Sequence, residues 1–269
     1  MKHNLNDILS HITYSGTLTP EHIEIFETIP STHDYLKNKL KNNAKNSIAH
    51  TISSPFDFCL AEYQSAGHGR FDRKWISPAE SNIYLSCRWK NNNIQNINGL
   101  SLVVGLSVTA ALKSTGLQNL TIKWPNDILW QDKKLGGILI DIIPHALIIS
   151  IGLNVNMPEV DMENMTRPWT SLEKITGNTQ NRNKIAGLLI NYLLYYLDLF
   201  EKNNFNYFMS EWKKQDYLLN KEINLSLDPK EIHKITGIAR GINSDGCLLL
   251  EDESGKIKPY AAGEASISI

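Results

Sequence analysis

The 269-residue chain balances 27 Lys and Arg against 28 Asp and Glu, so it offers no basic field for a nucleic-acid partner held by phosphate contacts. Its 42% hydrophobic content is that of a globular protein; no apolar run reaches the ~18 residues of a membrane span, and the start Met1-Lys2-His3-Asn4 has no apolar export segment. Three scattered cysteines and eight histidines without HxxxH spacing speak against a disulfide framework and a protein-held zinc site, so a reduced, cytoplasmic setting is expected.

Residues 1 to about 28 read as a polar leader with room for one short helix, Leu5 to Ile12. Ser31-Thr32-His33-Asp34 before Tyr35-Leu36 reads as a helix N-cap with an acidic residue in the first turn. Phe58 to Tyr63 and Ile83 to Trp89 read as strands, and Leu100 to Leu112, apolar nearly all round, as a buried helix. Thr121 to Trp124, Ile128 to Trp130, Leu135 to Ile142 and Ala146 to Val155 read as strands, the last two joined tightly through Pro144-His145 and hence antiparallel. The apolar run Ala146 to Ile151 is expected at a sheet edge, where it could pair in a homodimer. Apolar positions 185, 188, 189, 192, 193, 196, 197 and 200 trace one face of a long helix, and Phe208 to Tyr217 a short one. From about residue 220 short alternating runs separated by Asn243-Ser244-Asp245-Gly246 and Glu253-Ser254-Gly255 predict a small β domain.

Two segments carry chemistry. In Gln64-Ser65-Ala66-Gly67-His68-Gly69-Arg70-Phe71-Asp72-Arg73-Lys74-Trp75, two glycines around a His permit positive φ and close backbone approach, and three cations follow within five positions. This composition suits a loop that wraps a small anion, although by itself it equally describes a solvated turn. It is not a Walker loop, since no Gly-Lys-Ser/Thr and no helix follow. In Lys123-Trp124-Pro125-Asn126-Asp127-Ile128 and Lys133-Lys134-Leu135-Gly136-Gly137, a turn with one carboxylate precedes a lysine beside a double glycine. That arrangement suits a Mg-nucleotide phosphate, although in isolation a β-hairpin with surface charges accounts for it better.

Taken together and in this order, the segments resemble the biotin protein ligases. Further likenesses lie at Ser31-Thr32-His33, at Ile151-Gly152-Leu153-Asn154, at Trp169-Thr170-Ser171-Leu172, and at Gly241 through Leu250, so the resemblance covers roughly residues 25 to 269. It implies an α+β fold, a mixed, largely antiparallel sheet packed by helices (the class II synthetase-like biotin–lipoate ligase core), with a small C-terminal SH3-like β-barrel. The expected division is a short extension over 1–24, a catalytic domain over 25–219 and the β-barrel over 220–269, without the DNA-binding domain that some members carry.

The resemblance implies that biotin and ATP react to biotinyl-5′-AMP and that biotin passes to a lysine of the biotin carboxyl carrier protein of acetyl-CoA carboxylase. On its motifs Lys134 and Arg70 would be catalytic. Ser31, Thr32, His33, Gln64, Gly67, His68, Gly69, Arg70, Lys134 and Gly137 would hold biotin. Arg70, Arg73, Lys74, Asn126, Lys134, Asn154 and Trp169 would hold ATP, with Asp127 near Mg²⁺. Trp75 and Trp124 either wall the pocket or pack in the core. His68, Phe71 and Asp72 depart from the Arg, Arg and Gly usual in the family's loop, so the loop is expected to be stiffer, less basic and, through His68, more sensitive to pH. Lipoate or octanoate ligases share this core but show a different Arg-Arg…Gly-Gly-Gly…His pattern. A biotin-binding module without turnover is the alternative from another class.

Overall fold

The structure, a computed structural model, describes residues 2–14, 22–45, 55–90, 97–159, 168–227 and 234–267, with side chains of the second segment described to residue 39. In chain order its elements are α1 (Leu5–Ser10), β1 (Ile23–Ile29), α2 (Thr32–Lys45), β2 (Phe56–Gln64), β3 (Ile83–Trp89), α3 (Leu100–Lys113), β4 (Leu120–Lys123) and β5 (Asp127–Trp130). There follow β6 (Lys133–Ile143), β7 (Ala146–Leu153), α4 (Leu172–Thr176), α5 (Arg182–Asn203), α6 (Met209–Lys213), β8 (Glu222–Ser226), β9 (Lys234–Ile242), β10 (Leu248–Glu251), β11 (Ile257–Tyr260) and β12 (Glu264–Ile267). The fold is the expected α+β arrangement, with a C-terminal sheet of its own. No described helix is long and apolar enough to cross a membrane.

The chain divides into two compact units, each assembled from two pieces: Met1–Gln95 with Asp132–Tyr192, and Asn96–Gln131 with Leu193–Ile269. In the first unit the strands run β1-β2-β3-β7-β6. Every adjacent pair is antiparallel except β1 and β2, where Ile23 lies opposite Phe58 and Ile29 opposite Gln64 in parallel register. β1 comes from the stretch expected to be a polar leader. Its sequence Ile-Glu-Ile-Phe-Glu-Thr-Ile has apolar side chains at 23, 25 and 29 on one face, interrupted there by Glu27, and both end isoleucines are buried.

β7 corrects the expectation of an apolar sheet edge. It lies between β3 and β6, with Ser86 opposite Ser150 on one side and Gly137 opposite Gly152 on the other. Its run of Leu147, Ile148 and Ile149 is buried because it is central, so the sequence argument for a dimer edge falls away. The N-terminal segment is fastened to α5. Asn183 Oδ1 accepts from the Asn4 N–H at 3.1 Å, and Asn191 Oδ1 accepts from the Thr13 and Tyr14 N–H groups at 2.8 and 2.7 Å. Between them stands Gly187, where a Cβ would come within 2.4 Å of the Ile8 carbonyl oxygen.

In the second unit α3 is buried at 11 of its 14 positions, from Leu100 to Leu112, which is the all-round burial its sequence predicts. The β4–β5 hairpin pairs Leu120 with Trp130 and Lys123 with Asp127. The predicted helix Phe208 to Tyr217 is cut short at Lys213. Beyond it the backbone leaves to pair with β4, the Ile122 N–H bonding Gln215 O and the Tyr217 N–H bonding Ile122 O. The C-terminal sheet is antiparallel throughout, in the order β11-β10-β9-β8-β12. After the Glu253-Ser254-Gly255 turn the chain forms two strands, broken at Ala261-Ala262-Gly263, and the last two residues of the sequence lie outside the described ones.

Candidate active site

The glycine loop leaves β2 at Gln64 and folds back on itself. The Trp75 N–H donates to Gly67 O at 2.8 Å, the Gly69 N–H to Arg73 O at 2.8 Å, and His68 and Lys74 form an antiparallel bridge. Positive φ falls at Phe71 and Asp72 (57° and 55°), and neither Gly67 nor Gly69 has it, which corrects the sequence expectation. Gly67 is required for space instead. A Cβ there would lie 2.7 Å from Ser77 Oγ, 2.9 Å from Gln64 Nε2 and 3.0 Å from Trp75 O. At Gly69 the nearest atom, Arg73 O, would be 3.8 Å away, so no neighbour forbids a side chain. The Arg70 and Arg73 guanidinium carbons stand 5.0 and 6.0 Å from the centre of the exposed Phe71 ring, one of the departures from the family loop.

Trp75, ambiguous in the sequence, lies on the glycines of β6 and β7. A Cβ on Gly152 would meet its indole at 2.6 Å, and one on Gly137 at 3.2 Å. Gly136 serves backbone packing, since a Cβ there would sit 2.8 Å from Gly152 O. The Lys134 ammonium stands 5.5 Å from the Trp75 ring centre. The backbone of Lys134 brackets Trp169: its N–H donates to Pro168 O, and its carbonyl accepts from the Thr170 N–H, both at 2.9 Å. Asn154 joins the same corner, its N–H bonded to Leu135 O and its Nδ2 donating to Thr170 O at 3.0 Å. Trp169 is buried, with the Lys174 ammonium 3.8 Å from its ring centre.

Opposite the loop, Ser31, Thr32 and His33 open α2, and all three are buried. The predicted cap is present: Ser31 Oγ accepts from the Asp34 N–H at 3.3 Å. Gln64 Oε1 accepts both from the Thr32 N–H (2.9 Å) and from its hydroxyl (3.1 Å), while Gln64 Nε2 reaches Ser77 Oγ at 3.3 Å. His68 Nε2 pairs with Asp34 at 3.1 Å, tying the loop to the first turn of α2, and its ring meets that of His33 edge-on at 5.7 Å. Burial pushes the His33 imidazole below its ordinary value, against the pull of Asp141.

The first unit thus gathers Ser31, Thr32, His33, Gln64, Gly67, His68, Trp75, Lys134, Gly137, Asn154 and Trp169 into one connected set of contacts, with Arg70 and Arg73 on the loop that joins it. Lys74 is exposed, and its backbone serves the loop bridge. Asn126 and Asp127 belong to the second unit, at the β4–β5 turn, where the Asn126 N–H bonds Lys123 O and the Asp127 side chain is buried. Trp124, in the same unit, is core: it is 2% exposed and its indole N–H donates to Gly246 O at 3.1 Å. The sequence reading missed Ser77, Ser86 and Ser150. The last two were visible as lone hydroxyls interrupting the apolar strands Ile-Tyr-Leu-Ser-Cys and Leu-Ile-Ile-Ser-Ile.

Residues 25–156 match the biotin/lipoate A/B protein ligase family, and residues 218–268 the biotin protein ligase C-terminal domain. The bifunctional ligase/repressor BirA of Escherichia coli is 36% identical over 258 residues, which span 94% of this chain and 76% of that protein. The chain belongs to the biotin protein ligase family. The biotin–[acetyl-CoA-carboxylase] ligase of Mycobacterium tuberculosis is 30% identical over 76% of each chain. Among solved structures, the Aquifex aeolicus biotin protein ligase in complex with biotin and ATP superposes with a TM-score of 0.78 at 29% identity, covering 92% of this chain and 99% of that one.

Proposed function

We infer that the protein condenses biotin with ATP to biotinyl-5′-AMP and pyrophosphate, and then transfers the biotinyl group to a lysine of the biotin carboxyl carrier protein of acetyl-CoA carboxylase. What carries this reading is the connected set of contacts in the first unit, which joins a neutral hydrogen-bonding end (Ser31, Thr32, Gln64) to a cationic end (Lys134 with the Arg70 loop) in a family member. A cyclic urea has two N–H donors and one strong carbonyl acceptor, which short neutral side chains complement better than charges. In the first step a carboxylate oxygen bonds to the α-phosphorus and pyrophosphate leaves. Two anions must meet, so catalysis rests on cations and alignment.

In this reading Lys134 neutralises charge between the biotin carboxylate and the α-phosphate, held in place by Trp75 below and by its backbone bonds to Pro168 and Thr170. Arg70 contacts both substrates from the loop, and Arg73 and Lys74 face the outer phosphates. Trp169 and Asn154 hold the nucleotide beside Lys134. In the second step the carrier amine attacks the acyl carbon, AMP leaves with the bonding pair, and the amine loses a proton. Mg²⁺ suits the donor set offered: it takes one or two carboxylates, keeps waters and rides on phosphates, and Asp127 is a buried carboxylate with Asn126 beside it. Bound there, it would screen phosphate charge.

The test is to incubate the protein with biotin, ATP and Mg²⁺, without carrier, and to look for biotinyl-5′-AMP by mass spectrometry, with lipoate in parallel. Adenylate from biotin alone is expected. Adenylate from lipoate alone, or from neither, overturns the reading. Lys134→Ala is expected to slow adenylate formation by roughly 10²–10³-fold, the usual effect of removing one preorganised charge-stabilising donor.

A further inference from the structure

A chain of hydrogen bonds, buried at the Ser86–Thr32 link, runs away from the proposed biotin site through the middle of the sheet. From Gln64 Oε1 it passes to Thr32 Oγ1 at 3.1 Å, to Ser86 Oγ at 2.8 Å, to Ser150 Oγ at 2.7 Å and to His33 Nδ1 at 2.8 Å. Ser86 and Ser150 can touch because they are direct partners in the β3–β7 register. The far end is His33 Nε2, buried and 3.2 Å from Asp141 Oδ2 without the alignment of a hydrogen bond; Lys37 holds that carboxylate at 2.5 Å.

Counting protons fixes the direction of every bond. Ser77 gives its hydroxyl proton to Trp75 O at 3.1 Å, so it must accept from Gln64, which places the Gln64 amide nitrogen toward Ser77. The Gln64 oxygen then faces Thr32 and accepts twice, taking the only hydroxyl proton Thr32 has. Ser86 must therefore donate into Thr32, Ser150 into Ser86, and His33 Nδ1 into Ser150. That places a proton on His33 Nδ1, while Nε2 faces the Asp141 carboxylate. Of the three hydrogen-bonding directions at Thr32 Oγ1, Gln64 takes the donor and Ser86 one acceptor. One acceptor remains. The neighbouring Ser31 Oγ accepts from the Asp34 N–H and keeps a proton to give.

We propose that Ser86, Ser150 and His33 are positioning residues that hold Thr32 as a fixed hydrogen-bond acceptor, so that the site selects a ring N–H over an isosteric ring oxygen at that position. The proposal rests on the biotin reading above. A ligand N–H meets a preorganised oxygen there. A ligand oxygen meets a lone pair against a lone pair, the situation in which a site built to bond N–H discriminates most strongly. Neither serine need touch the ligand. Each acts through Thr32.

The test compares biotin with its two carbamate analogues, in which one or the other ring N–H is replaced by oxygen, by calorimetric titration on wild type, Ser86→Ala and Ser150→Ala, with melting temperature and the KM for ATP measured alongside. The expected result is a roughly tenfold loss of biotin affinity in both variants, the order of one lost hydrogen bond, with one carbamate bound as well as by wild type and the KM for ATP unmoved. Biotin and both carbamates weakened by the same factor, or none weakened, would overturn the relay, because a packing defect does not distinguish N–H from oxygen. Failure of wild type to bind biotin at all would instead overturn the functional reading, and would appear before the variants were made.

Discussion

Gly152 has no room for a methyl group, because the Trp75 indole occupies that space at 2.6 Å; at Gly137 the same ring is 3.2 Å away. Gly152→Ala is therefore expected to cost about 1–3 kcal/mol by overpacking, Gly137→Ala less, and each should slow adenylate formation in the same order as Trp75 is pushed from beneath Lys134. Urea denaturation checks the order. In a double-mutant cycle with Trp75→Ala the Gly152→Ala cost should largely vanish, since its cause is that ring. Equal costs at the two glycines would refute the account. The sequence made Gly137 legible as a place of close approach, but not what approaches it, and Gly152 only as part of a strand end. Gly152 and Trp75 are far apart in the chain, and only the β6–β7 register brings Gly137 and Gly152 side by side. The positive φ at Phe71 and Asp72 was hidden for the opposite reason: a glycine-rich sequence suggests where strain is cheap, and the chain placed it elsewhere.

At the scale of elements, the N-terminal segment is held by a buried ion pair as well as by the face of α5. Arg182 Nη2 bonds Glu62 at 2.6 Å, both side chains being nearly inaccessible, and Arg182 Nη1 also donates to Asn82 O at 3.1 Å. His3 completes the cluster: its backbone N–H donates to Glu62, its Nε2 faces Arg182 at 3.3 Å and its Nδ1 bonds Asn183 Oδ1 at 3.1 Å. Burial first, and then the Arg182 guanidinium, lowers the His3 pKa below its ordinary 6.5, and burial does the same at His33. The unfolded chain therefore takes up these two protons at higher pH than the folded one. Their contribution to stability is complete above about pH 6.5 and drains away as the pH falls through the lowered folded values. His3→Gln keeps hydrogen-bonding capacity without titrating, so its melting temperature should fall less than that of wild type between pH 7.5 and 5.5. An equal fall would acquit His3. α3 was legible as a helix apolar nearly all round and α5 by its helical stripe, although α5 buries a wider stripe than predicted, adding Ala186, Ile190 and Leu194. β1 was missed because Glu27 interrupts its apolar face and, with Glu24, lowers its apparent hydrophobicity.

At the scale of the molecule, each compact unit draws on two separate stretches of chain, and local patterning cannot show this, since periodicity describes an element and says nothing of its distant partners. The second unit makes the consequence concrete. The β9–β10 turn brings Gly246 against the start of α3, where a Cβ on Gly246 would lie 2.7 Å from Gly99 Cα, and its carbonyl accepts the Trp124 indole N–H. The Asn220 N–H bonds Ala239 O at 2.7 Å and the Ala239 N–H bonds Lys221 O at 2.9 Å, so the chain enters the C-terminal sheet without a free linker. The β9–β10 turn thus closes over Trp124 and the start of α3. A chain ending at residue 219 would expose Trp124 and strip the acceptor from its N–H. Such a chain should bind a hydrophobic dye and lose the cooperative melting of the second unit, whereas a truly separate module would leave that melting intact. Because truncation is a large change, the single substitution Trp124→Phe in the full chain gives the sharper reading. It keeps an aromatic ring, leaves the buried Gly246 carbonyl without its donor, and should cost about 1–3 kcal/mol in urea denaturation. A cost near zero would mean that the sheet adds nothing to the core it covers, and the truncated chain should then melt like the whole.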